Sequence, residues 1–168
     1  ILRAQAPIAY VPQLDATLIT RHADIVLNEK KISVFSSDQP QGLMTKLMGE
    51  NLMRKDGKAH MAERRAVHPT MSPRTVREIW SSEFRAQTDH LLEAITDTTE
   101  ADLFWRYAMP VSANALRSMT GLTNMSVEEM NRTSQGMIDG CANYTGDLEI
   151  EARCNDCTAS IDKHITEK

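Results

Sequence analysis

The sequence predicts a mainly α-helical domain with a small β-sheet near its amino terminus. Three observations lead there. From about residue 56 onward, apolar residues recur at helical spacing between recognisable caps. Strand-like runs are confined to the first twenty residues. The 168 residues, 41% apolar and 25% charged, have the composition of a chain that folds around one core.

The elements follow in order. Ile8-Ala9-Tyr10-Val11, then Pro12 and a short polar stretch, then Thr17-Leu18-Ile19-Thr20 read as a hairpin or two paired strands. A short helix follows, with Ala23, Val26 and Leu27 on one side. From Ser33 to Gly57, Pro40, Gly42 and Gly49 punctuate Leu43, Met44, Leu47 and Met48, which gives a loop with a short helical piece. Asp56 is the N-cap of a helix that stops near Pro69, because proline lacks the N–H that an interior position needs. Ser72-Pro73 is a cap with proline at the first helical position. The helix it starts carries Val76, Trp80, Phe84, Leu91, Leu92 and Ile95 at helical spacing. Pro110 opens another helix and Gly121 ends it. Ser126 and Glu129 form a capping-box pattern for a helix running to about Asn143. Gly146-Asp147 breaks that helix, and a last one runs towards His164. No repeat, low-complexity tract or linker divides the chain.

Charge and composition exclude several classes. A formal net charge of -4 disfavours non-specific nucleic-acid binding. No apolar run approaches the ~20 residues that span a bilayer, and no signal peptide is visible, so no membrane is expected and a cytoplasmic location is. Cys141, Cys154 and Cys157 are too few, and odd in number, for a disulfide scaffold. Cys154 and Cys157 form a lone C-x-x-C. Zinc would need a second pair of ligands and a thioredoxin-type motif a βαβ context, so ordinary helical cysteines are expected. Ten methionines against eight aromatics (three Phe, two Trp, three Tyr) give a pliable, Met-rich core.

The chemistry concentrates after Asp56. His60 and Arg64 are four residues apart, which puts both on one helix face about one turn apart. Arg64 offers a planar fork of donors and His60 one or two more, a set suited to a carboxylate-bearing dianion. Lys58 and Arg65 are seven apart and share a different face. From Arg54 to Arg65 there are five Lys/Arg and two Asp/Glu, a local +3 within an acidic chain. Such a patch can steer an acidic partner. On spacing alone, a solvated helix face with no partner accounts for both features better than a ligand does.

The run from Asp56 to Arg65, followed by Val67, Pro69 and Ser72-Pro73-Arg74, resembles the C helix of the bacterial, soluble cytochromes P-450. That pattern has a His, an Arg four residues on, a second basic residue, and the Ser-Pro-Arg start of the next helix. Met71 stands where the family usually has Phe. Other segments fall in the family's order. Leu2-Arg3-Ala4 through Pro12 is similar to its first strand region, and Thr20-Arg21-His22-Ala23-Asp24 to the start of its B helix. Phe35-Ser36-Ser37 is typical of it, and Thr120-Gly121-Leu122 looks like the end of its E helix.

The resemblance implies that residues 1–168 are the amino-terminal part of a single cytochrome P-450 domain, from the A/B region to about the G helix. It implies heme b as cofactor, with His60 and Arg64 binding the propionates. Leu43, Leu47, Met48, Leu52 and Met53 would wall a substrate pocket, and the helix from Val127 to Asn143 would form part of its roof. Lys58 and Arg65 would face a ferredoxin or flavodoxin-type electron donor. The implied activity is a monooxygenase that inserts one oxygen atom of O2 into a small apolar or aromatic substrate.

The family's iron-ligating Cys follows a Phe, a Gly and a basic residue. None of the three cysteines has that context, and Cys141 follows Asp139-Gly140 instead. The thiolate ligand and the oxygen-activating helix are therefore expected outside this chain, which alone should be inactive. Glu129 and Arg132 match an E-x-x-R pattern but sit in the wrong helix, a chance match. The alternative is a non-enzymatic helical interaction or small-ligand-binding module.

Overall fold

The computed structural model describes residues 1–96 and 99–168. Its architecture is mainly helical, with a two-stranded antiparallel sheet near the amino terminus. After a short α1 (Leu2–Gln5), β1 (Ile8–Val11) pairs with β2 (Ala16–Ile19) in the register Ile8↔Ile19 to Val11↔Ala16. A 3-10 turn at Pro12–Leu14 makes the reversal, and Asp15 follows in the left-handed region at φ 47°. Aspartate tolerates that conformation, and Tyr10 Oη donates to its carboxylate at 2.6 Å.

The expected short helix is α2 (His22–Asn28), but its predicted apolar side is not covered. Ala23, Val26 and Leu27 are all exposed, because none of the described residues packs over them. The loop then carries α3 (Leu43–Met48) and a 3-10 turn at Leu52–Arg54.

The long helix α4 (Gly57–Met71) matches the expected span but corrects the expected cap. Asp56 does stand at the N-cap, but its side chain caps nothing in α4. It accepts instead from Ser36 Oγ at 2.6 Å and Ser37 N at 2.8 Å. And α4 includes Pro69 and stops two residues beyond it, at Met71, near the expected end. The next segment takes up carbonyls of this final turn. Thr75 Oγ1 donates to Pro69 O at 2.6 Å, and Trp80 Nε1 to Thr70 O at 2.8 Å. Ser72 then caps α5 (Pro73–Thr75), accepting from Thr75 N at 3.1 Å.

Helical chain continues from there through a π-turn at Val76–Trp80 into α6 (Ser81–Thr96), with Trp80 and Phe84 stacked at 5.8 Å. A second π-turn at Phe104–Ala108 leads into α7 (Met109–Thr120). Pro110 stands at the second position of α7, at its opening as expected, although the π-turn makes the helical run begin earlier. The π-turn before it is capped by Asp102, whose carboxylate accepts from Phe104 N and Trp105 N at 2.9 and 3.1 Å. Gly121 ends α7 as expected, in the left-handed conformation at φ 75° that glycine adopts without strain.

Ser126 caps α8 (Val127–Cys141), accepting from Glu129 N at 3.0 Å. The capping box is only half realised, since the Glu129 carboxylate turns away from Ser126 to Arg132 and Ser160. Asp147 caps α9 (Leu148–Thr166) through Glu149 N and Ile150 N. Buried Asn143 ties the turn between them, donating to Asp147 O at 2.8 Å and accepting from Asp147 N at 2.9 Å.

The core sits where α7, α8 and α9 meet. Ala113, Leu122, Met125 and Met130 cluster there, joined by half-buried Met109, Val127 and Ile161. Alongside, Gly136 and Gly140 of α8 face Cys157 and Cys154 of α9. A Cβ on either glycine would overlap the opposing sulfur, so the two helices approach as closely as they do only because both positions are glycine. By contrast, α4 and α6 bury no residue. The accessible surface is 12089 Å², whereas a compact monomer of 18.9 kDa would expose about 8300 Å². Among the described residues no helix is long and apolar enough to cross a membrane.

Candidate functional site

The segment singled out by its charges is built from the loop before α4 and the first turns of that helix. Two clasps fix it. Asp56 holds Ser36 and Ser37, and the Ser36 hydroxyl, then the Ser37 N–H, keep its carboxyl below the usual range, with His60 adding to the effect. Lys55 is hydrogen-bonded to Glu63 of α4, with Glu50 at 3.7 Å. The Glu63 bond holds the Lys55 ammonium above its ordinary value.

His60 is half-buried, with Nδ1 3.2 Å from the Leu52 carbonyl. A carbonyl only accepts, so the contact is a hydrogen bond when Nδ1 carries the proton. One turn on, Arg64 is exposed. Among the described residues no carboxylate lies within ion-pair distance of it. The helix thus offers the two expected donors on one face with no protein partner competing for Arg64. Lys58 and Arg65 are exposed, and with Gly57 and Met61 they line a shallow cleft of about 520 Å³. Both pairs therefore share the faces that their spacing indicates.

The five residues expected to wall a substrate pocket separate into two groups. Met48 and Met53 line an almost wholly apolar cavity of about 420 Å³, together with Met44, Met137, Ile138 and Cys141. It lies between α3 with its following turn and the carboxy-terminal end of α8. Leu43, Leu47 and Leu52 are half-buried but do not line it. Leu47 instead points towards Gly140, which an added Cβ would bring within 3.2 Å of Leu47 Cδ1. Met48 Sδ and Cys141 Sγ stand 3.9 Å apart across the cavity wall. Sequence reasoning missed Met137, Ile138 and Cys141, although their spacing on α8 puts Met137 and Cys141 on one face.

On the other side of α3 lies a polar cavity of about 420 Å³, lined by Ser36, Thr45, Glu50, Arg54, Lys55 and Asp56 among others. Thr45 Oγ1 and Arg54 Nε are sealed from solvent there without a hydrogen-bond partner.

The cysteines behave as ordinary helical residues in the α8–α9 seam, Cys154 and Cys157 fully buried and Cys141 half-buried. Burial pushes all three thiols up. The E-x-x-R pair does make a structural contact. Arg132 grips Glu129 with two bonds of 2.7 and 2.8 Å and reaches Asp156 of α9 at 2.6 Å, while Ser160 Oγ donates to Glu129 at 2.5 Å. Arg132 first, and Ser160 next, lower the Glu129 carboxyl to about 2. This network staples α8 to α9.

A comparison with the models of known protein families finds no match for the chain.

Proposed function

We propose that the chain is the amino-terminal, propionate-binding part of a cytochrome P-450 monooxygenase. The observation that carries the reading is the segment from Asp56 to Arg74, in which a resemblance to the family's C helix coincides with two donors on one helix face. His60 and Arg64 would hold the heme b propionates, Arg64 through its planar fork and His60 through a ring N–H. The fit is to the propionates alone. Cys154 and Cys157 are locked in the α8–α9 seam, and Cys141 lines the apolar cavity with its thiol raised by burial, so none suits a thiolate ligand. When bound, heme supplies the activation of O2 for insertion of one oxygen atom into an apolar substrate.

The chain's own residues would orient the cofactor, exclude water and shape the pocket. Met48 and Met53, with Met44 and Met137, give an adaptable wall for a small organic substrate. Lys58 and Arg65 form a basic cleft suited to an acidic ferredoxin or flavodoxin-type donor. The large accessible surface supports the reading as well, since half of a larger domain leaves faces that the other half would cover.

The test is made on the protein expressed from the complete gene. A reduced, CO-treated sample should show the red-shifted Soret band of a thiolate-ligated heme, and its absence would refute the reading. Arg64→Ala should weaken heme retention by roughly tenfold or more, the worth of one charge-assisted bond, while Lys58→Ala leaves it unchanged. Equal heme occupancy in the two variants would remove the propionate assignment. Lys58→Ala should instead slow reduction by the donor, and the deficit should shrink as salt rises.

The second reading, a non-enzymatic small-ligand-binding module, is favoured by the methionine cavity, which needs no cofactor to bind an apolar molecule.

A further inference from the structure

The apolar cavity beside α3 is walled by sulfur to a degree that hydrocarbon packing does not require. Met44, Met48, Met53, Met137 and Cys141 all line it. Helix geometry explains how four of them converge. Met44 and Met48 are four residues apart on α3, and Met137 and Cys141 four apart on α8. Each pair therefore shares one helix face, about one turn apart. The two helices pack together, so an M-x-x-x-M pair meets an M-x-x-x-C pair across one cavity. Where the pairs are known to meet, Met48 Sδ and Cys141 Sγ are 3.9 Å apart. Two sulfurs at that separation, each about 2.3 Å from a shared metal ion, subtend about 116° at it, between the tetrahedral and trigonal values.

The donor set selects among metals. Neither a His nor a carboxylate lines the cavity. Among the described residues no group of three or more His, Cys, Asp or Glu is placed to hold a metal either. Zinc is bound by Cys, His and carboxylate, and magnesium and calcium by oxygen. Thioethers with a single thiolate instead suit a soft monovalent ion, Cu(I). Charge points to the same ion. Cu(I) on one thiolate is a neutral centre, which an apolar wall accepts, whereas a divalent ion there would leave a buried positive charge. Burial disfavours a free thiolate at Cys141, but in this site the proton leaves only as the cation takes its place. Met53, Ile138 and Tyr144 of the wall are exposed, so the cavity is open to solvent and an ion can enter.

We propose that Met44, Met48, Met137 and Cys141 bind one Cu(I) ion between α3 and α8. Binding is a ligand exchange with no change of oxidation state. The Cys141 S–H bond breaks, a copper–sulfur bond forms, and one proton passes to solvent. The inference goes beyond the monooxygenase reading and does not rest on it, since no heme ligand takes part.

The probe is Cu(I) itself, supplied without oxygen as its acetonitrile complex. It is titrated into the protein expressed from the complete gene, in competition with the chelator bathocuproine disulfonate. The protein should withhold one equivalent from the chelator. Met48→Leu and Met137→Leu keep the volume of the side chain and remove its sulfur; each should weaken retention by about tenfold to a hundredfold, and Cys141→Ser by more. Met71→Leu, at an exposed methionine outside the cavity, should change nothing. Far-ultraviolet circular dichroism spectra matching the parent's show that the variants are folded. On the unsubstituted protein, X-ray absorption at the copper edge should show a first shell of sulfur alone, at about 2.3 Å. A pH indicator should record one proton released per ion, and none in Cys141→Ser. Failure to withhold copper, retention unchanged in Met48→Leu and Cys141→Ser, nitrogen or oxygen in the first shell, or displacement by an equal amount of Zn2+ would each overturn the proposal. None of these results depends on the heme spectrum, so the copper site and the monooxygenase stand or fall separately.

Discussion

A single methyl group added to α8 should loosen its seam with α9, by an amount that depends on which glycine receives it. At Gly140, a new Cβ would overlap Cys154 Sγ, come within 2.6 Å of Cys154 Cβ and lie 3.2 Å from Leu47 Cδ1. At Gly136 it would overlap Cys157 Sγ, but Cys157 Cβ is at 3.5 Å, an ordinary contact. Alanine gains about 1 kcal/mol over glycine in helix propensity. Overpacking a tight core costs about 1–3 kcal/mol, at the upper end where the obstacle is a Cβ that cannot rotate away. Gly140→Ala should therefore destabilise by about 1–2 kcal/mol, or about 3–6 °C in melting temperature for a chain of this size. The companion substitutions separate sulfur from backbone. Cys157→Ala removes the only obstacle at Gly136, so the pair Gly136→Ala/Cys157→Ala should recover nearly all of the packing loss. Cys154→Ala leaves the Cβ in place, so Gly140→Ala/Cys154→Ala should recover only part. Urea unfolding followed by circular dichroism, arranged as two double-mutant cycles, measures both coupling energies. A Gly140→Ala variant more stable than its parent, or equal recovery in the two cycles, would refute the geometry on which this reasoning rests.

Two further predictions concern the same helices. The folded pKa of Glu129, about 2, lies below its ordinary 4.5, so its contribution is complete above that ordinary value and disappears as pH falls towards 2. Arg132 is 46% exposed, which screens the pair, so the loss should be about 1–2 kcal/mol; Glu129→Gln should flatten the acid limb of a stability-versus-pH curve, and an unchanged limb would count against the network. A thiol reagent applied to the folded chain should label half-buried Cys141 first, with Cys154 and Cys157 silent until denaturant is added; three sites reacting together would contradict the seam.

Much of the fold was legible because it rests on local chemistry. The hairpin followed from two β-prone runs around Pro12, and the caps at Ser72 and Ser126 from residue types that accept backbone N–H bonds. What escaped depended on distant partners. Pro69 lies inside α4, and the two residues of helix beyond it, whose neighbouring carbonyls Thr75 and Trp80 take up, are not announced by apolar spacing. The π-turns at Val76–Trp80 and Phe104–Ala108 keep the helical run going, so apolar spacing alone does not reveal them. In the candidate site, the His60–Arg64 pair could be read because both lie on one helix. Of the methionine cavity, Met48, Met53 and the helix α8 were anticipated through the resemblance, but Met137 and Cys141 were not singled out, because Met48 and Cys141 are separated by 93 residues.

The way α4 is mounted has a consequence for any ligand that uses it. No residue of this helix is buried, yet both of its ends are anchored by directed polar bonds. Asp56 and Lys55 secure the beginning, and Thr75 and Trp80 the finish. The arrangement is that of a beam fixed at two bearings and open along its span. Its orientation is decided by a few hydrogen bonds rather than by the hydrophobic interior, so conditions that leave the α7–α9 core intact can still tilt it. Because the Ser36 and Ser37 bonds hold the Asp56 carboxyl below its ordinary range, this bearing persists in mild acid and is released only when Asp56 is protonated.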